Sequence, residues 1–150
     1  MAPAQASLLA KLDTQERVRD FLTNAVASGR ASHAYLFLGA PGAGKLDAAW
    51  ALAQAFLCEQ DGCGSCDSCV RVARHTHPDV HYYTPESAMG YLIAQTRELL
   101  DDVPLAPIRA KAKVYIIDRA EQLRANTANA LLKTLEEPPE GVMFILLGTS

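Results

Sequence analysis

The sequence predicts an α/β domain in which a parallel sheet carries helices on both faces and a small zinc-binding insertion. Three observations predict it. Short apolar runs of strand length alternate with longer segments of helical period. The runs are apolar throughout, as strands covered on both faces must be. A G-x-x-x-x-G-K stretch, Gly39 to Lys45, stands between one such run and a helix.

The elements follow in order. Val18, Phe21, Leu22, Ala25 and Val26 fall on one face of a first helix. Asp13 and Glu16 have capping-box spacing, and Gly29 can end the helix. Residues 34–38 form a short apolar strand, and 45–57 read as a buried, alanine-rich helix. The segment from Cys58 to Cys69 is expected to be a loop module. A strand is predicted over 79–83 and a helix over 91–100, with Pro104 and Pro107 breaking the chain after it. Residues 114–118 give a buried strand ending in Asp118. Asn126 or Thr127 is expected to cap a helix carrying Leu131, Leu132 and Leu135, which Pro138 and Pro139 stop. Residues 142–147 form a last strand.

Composition sets outer limits. Of 150 residues, 49% are apolar and 21% charged, enough for a packed core and against wholesale disorder. Fourteen basic and seventeen acidic residues give a net charge of −3, which argues against a broad basic face for nucleic acid. No apolar run reaches about 18 residues, so no membrane span or membrane partner is expected. Residues 1–10 carry no positive charge ahead of their apolar stretch and do not read as a signal peptide. A cytoplasmic location is expected. The four cysteines then need a role other than disulfides.

The glycine-rich loop has the makings of a phosphate cradle. Glycines such as Gly39, Gly42 and Gly44 let backbone N–H groups turn toward an anion, with Ala43 between them. Lys45 is placed to reach β- and γ-phosphates. The next position should offer a hydroxyl to Mg²⁺, and it is Leu46. Asp47 is better suited to the first turn of the helix. Asp118 ends its strand as a metal-holding acid does, but Arg119 follows it where a water-activating Glu is usual. Two positions thus lack groups that hydrolysis needs. No catalytic residue is expected, ATP or ADP binding is expected to be weak, and Mg²⁺ is not expected.

Cys58, Cys63, Cys66 and Cys69 read C-x4-C-x2-C-x2-C, with Gly62 and Gly64 at the turns. Four thiolates at this spacing suit tetrahedral, structural Zn²⁺. A redox C-x2-C pair and an iron–sulfur cluster are the alternatives. His75, His77 and His81 lie close by but are expected to be ordinary histidines, since the cysteines fill the shell.

These motifs in this order, together with Asn129 to Pro139 (NALLKTLEEPP), resemble the clamp-loader subunits of bacterial DNA polymerase III. The segments 33–37 and 77–79 are also similar to that family, and the likeness covers about residues 13 to 150. The resemblance implies an AAA+ N-terminal domain, with strand order 5-1-4-3-2 and the zinc module at 58–69 inserted. Residues 1–150 are expected to be part of a longer protein, with the fifth strand and a Ser-Arg-Cys motif beyond Ser150. Motor subunits of the gamma/tau type carry Thr or Ser after the lysine and Glu after the Asp. Leu46 and Arg119 depart from both, so the resemblance is to the stationary delta-prime type. Thr149 falls where the family has its sensor-1 residue.

The implied role is help in loading the sliding clamp onto primed DNA, with gamma/tau and delta subunits as partners. Two other readings stay open: an active clamp-loader ATPase, and a zinc-ribbon nucleic-acid-binding module on a degenerate P-loop fold.

Overall fold

The computed structural model describes residues 7–12 and 16–149. Asp13, and with it the expected capping box, lies outside them. Four strands, β1 (Ala34–Leu38), β2 (Val80–Tyr83), β3 (Lys113–Ile117) and β4 (Val142–Gly148), form one parallel sheet in the order β1-β4-β3-β2. This is the expected 1-4-3-2 arrangement. The helices are α1 (Glu16–Ala27), α2 (Lys45–Leu57), α3 (Asp67–Ala73), α4 (Ile93–Asp102) and α5 (Ala125–Glu136).

The two inner strands are buried along almost their whole length, and their side chains alternate between two cores. Val114, Ile116, Met143, Ile145 and Leu147 pack with Leu22, Trp50 and Leu52 from α1 and α2. Tyr115, Ile117 and Phe144 face the other way, against Tyr83, Tyr91, Leu99 and Leu131. Helices on both faces therefore follow directly from strands that are apolar on both sides.

Helix α2 is buried from Ala48 through Ala55, as its all-round apolar sequence requires. Helix α1 ends as expected, with the Arg30 N–H donating to the Ala25 carbonyl at 2.9 Å and the Gly29 N–H to that of Val26 at 3.1 Å. Its predicted apolar face is only partly used. Leu22 and Val26 are buried, but Phe21 is 65% exposed, because the stripe is wider than the surface it meets.

Other boundaries also differ from expectation. The cysteine segment is not all loop: α3 starts at Asp67 and carries Cys69 in its first turn. Helix α4 begins at Ile93, not at Tyr91. The Gln95 side chain folds back to accept the Leu92 N–H at 2.9 Å and starts the helix there. Helix α5 is preceded by Arg124, so neither Asn126 nor Thr127 is its cap. Asp79 and Asp118 each lie one residue outside their strands.

Candidate functional site

The carboxyl ends of parallel strands open a crevice, and the phosphate loop lies in it. Gly42 and Gly44 hold φ of +84° and +91°, a region a β-carbon disfavours, and Gly44 leads directly into α2. The loop, Asp118 and Thr149 meet around a cleft of about 380 Å³ lined by Gly42, Gly44, Lys45, Leu46, Arg119 and Thr149 among others. Of the residues expected at this site, Gly39 and Ala43 are set back from the cleft. Gly39 offers its carbonyl to Lys45 and its N–H to Gly148, and Ala43 lines an apolar groove with Val18, Leu36 and Leu38.

Lys45 is engaged within the protein. Its Nζ donates to the Gly39 carbonyl at 2.6 Å and to the Gly148 carbonyl at 2.9 Å. The ammonium thus joins the ends of β1 and β4.

Asp118 is held by donors of its own chain. The Tyr82 hydroxyl donates to Oδ2 at 2.9 Å, and the Arg119 N–H to Oδ1 at 2.9 Å. Burial, then the adjacent Asp118 carboxylate, raise the Tyr82 phenol above its ordinary pKa and keep it a donor. The Tyr91 hydroxyl donates to the Asp118 carbonyl and lies 3.0 Å from that of Tyr83. Arg119 itself sits in the left-handed region at φ 48°, ψ 54°. That conformation costs a non-glycine residue about 1–2 kcal/mol. Glu121 accepts from the Thr149 hydroxyl at 3.3 Å, so it braces the end of β4.

The loop offers Mg²⁺ no side-chain hydroxyl after Lys45. Leucine has no lone pair at the position where a hydroxyl is needed. Two acids remain at the cleft, Asp47 and Asp118, and each Asp118 oxygen accepts one bond from the protein.

The cysteines make a second site. The four Sγ atoms lie within 4.8 Å of one another, with Cys58 and Cys66 at 3.9 Å and Cys63 and Cys69 at 4.0 Å. Disulfides need about 2.05 Å. A tetrahedron with metal–sulfur bonds of about 2.3 Å has edges of about 3.8 Å. The donor set therefore fits a four-thiolate metal ion. Backbone N–H groups already point at the sulfurs: Gln60 and Cys63 donate to Cys58, Cys66 to Cys63, and Cys69 to Cys66, at 3.3–3.4 Å.

These bonds, chiefly from Ser65 and Cys66, lower the Cys63 pKa to about 6. Burial raises Cys58, but the N–H groups of Cys63, Gln60 and Gly62 outweigh it and leave the thiol lowered. Burial pushes Cys66 and Cys69 up. Four sulfurs this close cannot all be thiolates without a cation between them.

The surroundings hold residues the sequence did not single out. Gln54, buried in α2, donates to the Cys69 carbonyl at 2.9 Å and accepts the Leu8 N–H at 2.8 Å. A lone polar residue in a helix apolar all round was the available signal, since it must find partners. Asp79 is fully buried, and its carboxylate accepts the N–H groups of Ile108, Arg109 and Ala110 at 2.6–2.7 Å. That pins the 108–110 segment beside the cysteines.

None of the three nearby histidines enters the sulfur cluster. His77 Nδ1 accepts the Asp79 N–H, His81 pairs with Asp102 at 3.2 Å, and His75 stacks on Trp50.

Comparison with known proteins agrees with this geometry. Residues 14–150 match the family described as DNA polymerase III, delta subunit. The delta' subunit of Bacillus subtilis is 41% identical over 138 residues, covering 90% of this chain and 42% of that protein. The tau subunit of Escherichia coli K12 is 42% identical over 139 residues, covering 90% of this chain and 21% of tau. The chain thus spans less than half the length of either relative. Among solved structures, a gamma subunit-related protein of Thermotoga maritima shares the fold at TM-score 0.58 and 20% identity, over 87% of this chain and 38% of that one. The PCH-2 protein of C. elegans does so at TM-score 0.55 and 16% identity, over 91% and 37%. With its parallel sheet, phosphate loop and four-cysteine module, the chain belongs to the DNA polymerase III delta-subunit family, among the AAA+ clamp-loader proteins.

Proposed function

We propose that the chain serves as a stationary, delta-prime-type subunit of a DNA polymerase III clamp loader, one that supports clamp loading without hydrolysing ATP. One observation carries this reading: a formed phosphate cleft lacks both the hydroxyl that would hold Mg²⁺, at Leu46, and the acid that would activate water, at Arg119. Its own contribution is shape and subunit contact. Gamma/tau and delta subunits are its partners. The sliding clamp and primed DNA are reached through the assembled complex, which suits a net charge of −3. No helix among the described residues is long and apolar enough to cross a membrane, consistent with work in the cytoplasm.

Within this reading residues 1–150 act as one nucleotide-binding-like domain. Gly39, Gly42, Ala43, Gly44, Lys45, Leu46, Asp118 and Thr149 form its vestigial nucleotide site. Cys58, Cys63, Cys66 and Cys69 hold a structural Zn²⁺ that stabilises the 58–69 module and takes no part in chemistry.

The test is steady-state phosphate release, first by the chain alone and then by the full-length subunit reconstituted with gamma/tau, delta, clamp and primed DNA. No turnover by the chain is expected, with clamp loading that depends on the reconstituted subunit. Turnover above roughly 0.1 per second by the chain alone points to a motor subunit instead.

A further inference from the structure

We infer that the cysteine module is a site of reversible oxidation: hydrogen peroxide attacks at Cys63, Cys63 is joined to Cys69 as a disulfide, and the bound metal is released. The inference goes beyond the proposed function, and rests on it only in taking that metal to be zinc.

The sulfurs fall into two close pairs. Cys63 and Cys69 stand 4.0 Å apart, and Cys58 and Cys66 3.9 Å. A disulfide needs about 2.05 Å, so about 2 Å of travel joins either pair. Each pair sets a half-buried sulfur beside a buried one, Cys63 beside Cys69 and Cys66 beside Cys58. A cavity of about 320 Å³ is lined by Cys58, Cys63 and Cys66, and Cys69 is not in its wall. A small oxidant thus has a way to Cys63, and Cys69 lies behind it as the second thiolate.

The hydrogen bonds favour Cys63 over Cys66. The Cys66 sulfur accepts the Cys69 N–H at 3.4 Å and caps α3, so drawing it toward Cys58 takes away a helix cap. Cys58 is itself held by the N–H groups of Gln60 and Cys63. Cys63 lies in the loop ahead of α3, where a shift of the sulfur breaks no helix. The Cys69 carbonyl accepts from Gln54 at 2.9 Å, which links the state of the module to α2.

The chemistry balances. The Cys63 thiolate attacks one peroxide oxygen; an S–O bond forms, the O–O bond breaks and hydroxide leaves. The Cys69 thiolate then attacks the Cys63 sulfur; the S–S bond forms, the S–O bond breaks and a second hydroxide leaves. Two thiolates lose two electrons, the peroxide gains them, and both hydroxides take protons from solvent. The ion keeps two of four ligands, too few for a closed tetrahedral site, and Cys58 and Cys66 take up protons as it departs. A dithiol undoes the bond by exchange, and zinc rebinds.

The experiment treats the chain, its zinc content measured first, with hydrogen peroxide. A chromogenic chelator follows the metal, and mass spectrometry the disulfide. Cleavage on the amino side of aspartates leaves Cys58 on 47–60, Cys63 and Cys66 on 61–66, and Cys69 on 67–78. The expected result is about one zinc released per chain and a mass about 2 Da below that of the reduced chain. The bond should join 61–66 to 67–78, with fragmentation placing it on Cys63, and a dithiol should restore zinc binding. Cys63→His keeps a zinc ligand that cannot form the bond, and should slow zinc release at least about tenfold under the same peroxide.

The inference is overturned by zinc retained under peroxide, by no disulfide, by a disulfide that leaves out Cys63 or Cys69, or by failure of a dithiol to restore zinc binding. The wild-type map stands even where the variant fails to fold. A chain without zinc before treatment defeats the structural-zinc reading by itself, and the disulfide map still decides the inference. None of these outcomes bears on phosphate release, which tests the stationary-subunit reading.

Discussion

The imidazole of His75 lies flat on the indole of Trp50, with ring centroids 3.8 Å apart and planes 9° from parallel. His75 lies two residues past the end of α3, the helix that begins inside the cysteine module, and Trp50 lies in α2 behind the phosphate loop. Trp50 is the single tryptophan of the sequence. Its emission therefore reports on the metal module. Chelation of the proposed zinc should loosen α3, expose the 7%-exposed indole and shift its emission to longer wavelength, while the far-ultraviolet signal of the sheet is retained. Unchanged emission after measured zinc release would show that α3 keeps its place without the ion.

Asp79 predicts an acid-sensitive loop. Burial raises its pKa, but the N–H groups of Ala110, Ile108 and Arg109 outweigh that and leave it lowered. A carboxylate lowered on folding contributes stability that is fully present above the unfolded value of about 4. That stability is lost as pH falls through the lower, folded value. Asp79→Asn should cost about 3 kcal/mol at neutral pH, because buried N–H groups lose their charged acceptor. The variant's stability should also fall less steeply below pH 4 than the wild type's, as read by urea denaturation across pH.

Reversing the two departures should bring back metal dependence. Leu46→Thr restores a hydroxyl beside Lys45, and Arg119→Glu removes the competing cation and restores an acid. The double variant should bind ATP at least about tenfold more tightly with Mg²⁺ than with EDTA, a contrast not expected of the wild type. A double variant indifferent to Mg²⁺ would mean that the Tyr82 bond to Asp118 still closes the metal position. Adding Tyr82→Phe would then be the next step.

Core and surface leucines should separate cleanly. Leu52 is 0% exposed in α2, and Leu52→Ala should cost about 2–5 kcal/mol. Leu132 is 58% exposed on α5, and Leu132→Ala should stay within about 0.5 kcal/mol. Equal losses at the two sites, in the same denaturation experiment, would contradict this assignment of buried faces.

Much of the fold was legible because glycines and buried runs mark it sharply. β1 and α2 begin and end where the sequence predicts, since the loop between them can be neither strand nor helix. The cysteine cluster was legible because thiol spacing is itself the signal. Other features depended on contacts from distant parts of the chain. Tyr91 has a helical neighbourhood, yet its hydroxyl is used at the Asp118 carbonyl, and Gln95 starts the helix two residues later. Asn126 looks like a cap, but its Oδ1 accepts the N–H of Thr127 within a helix already under way. Tyr82 reaches Asp118 across 36 residues of sequence, which no local pattern announces.

Lys45 gives the phosphate loop a mechanical duty. Its ammonium ties the end of β1 to that of β4 through the carbonyl of Gly148, 103 residues beyond the lysine, which also receives the Gly39 N–H. The lysine is thus a rivet between chain-distant parts, with or without an anion in the cleft. Replacing it by alanine strips two carbonyls of a charged donor and loosens β1 from β4, so any loss of ligand binding is entangled with loosening of the sheet. In this architecture the sheet itself has a use for the lysine of the motif.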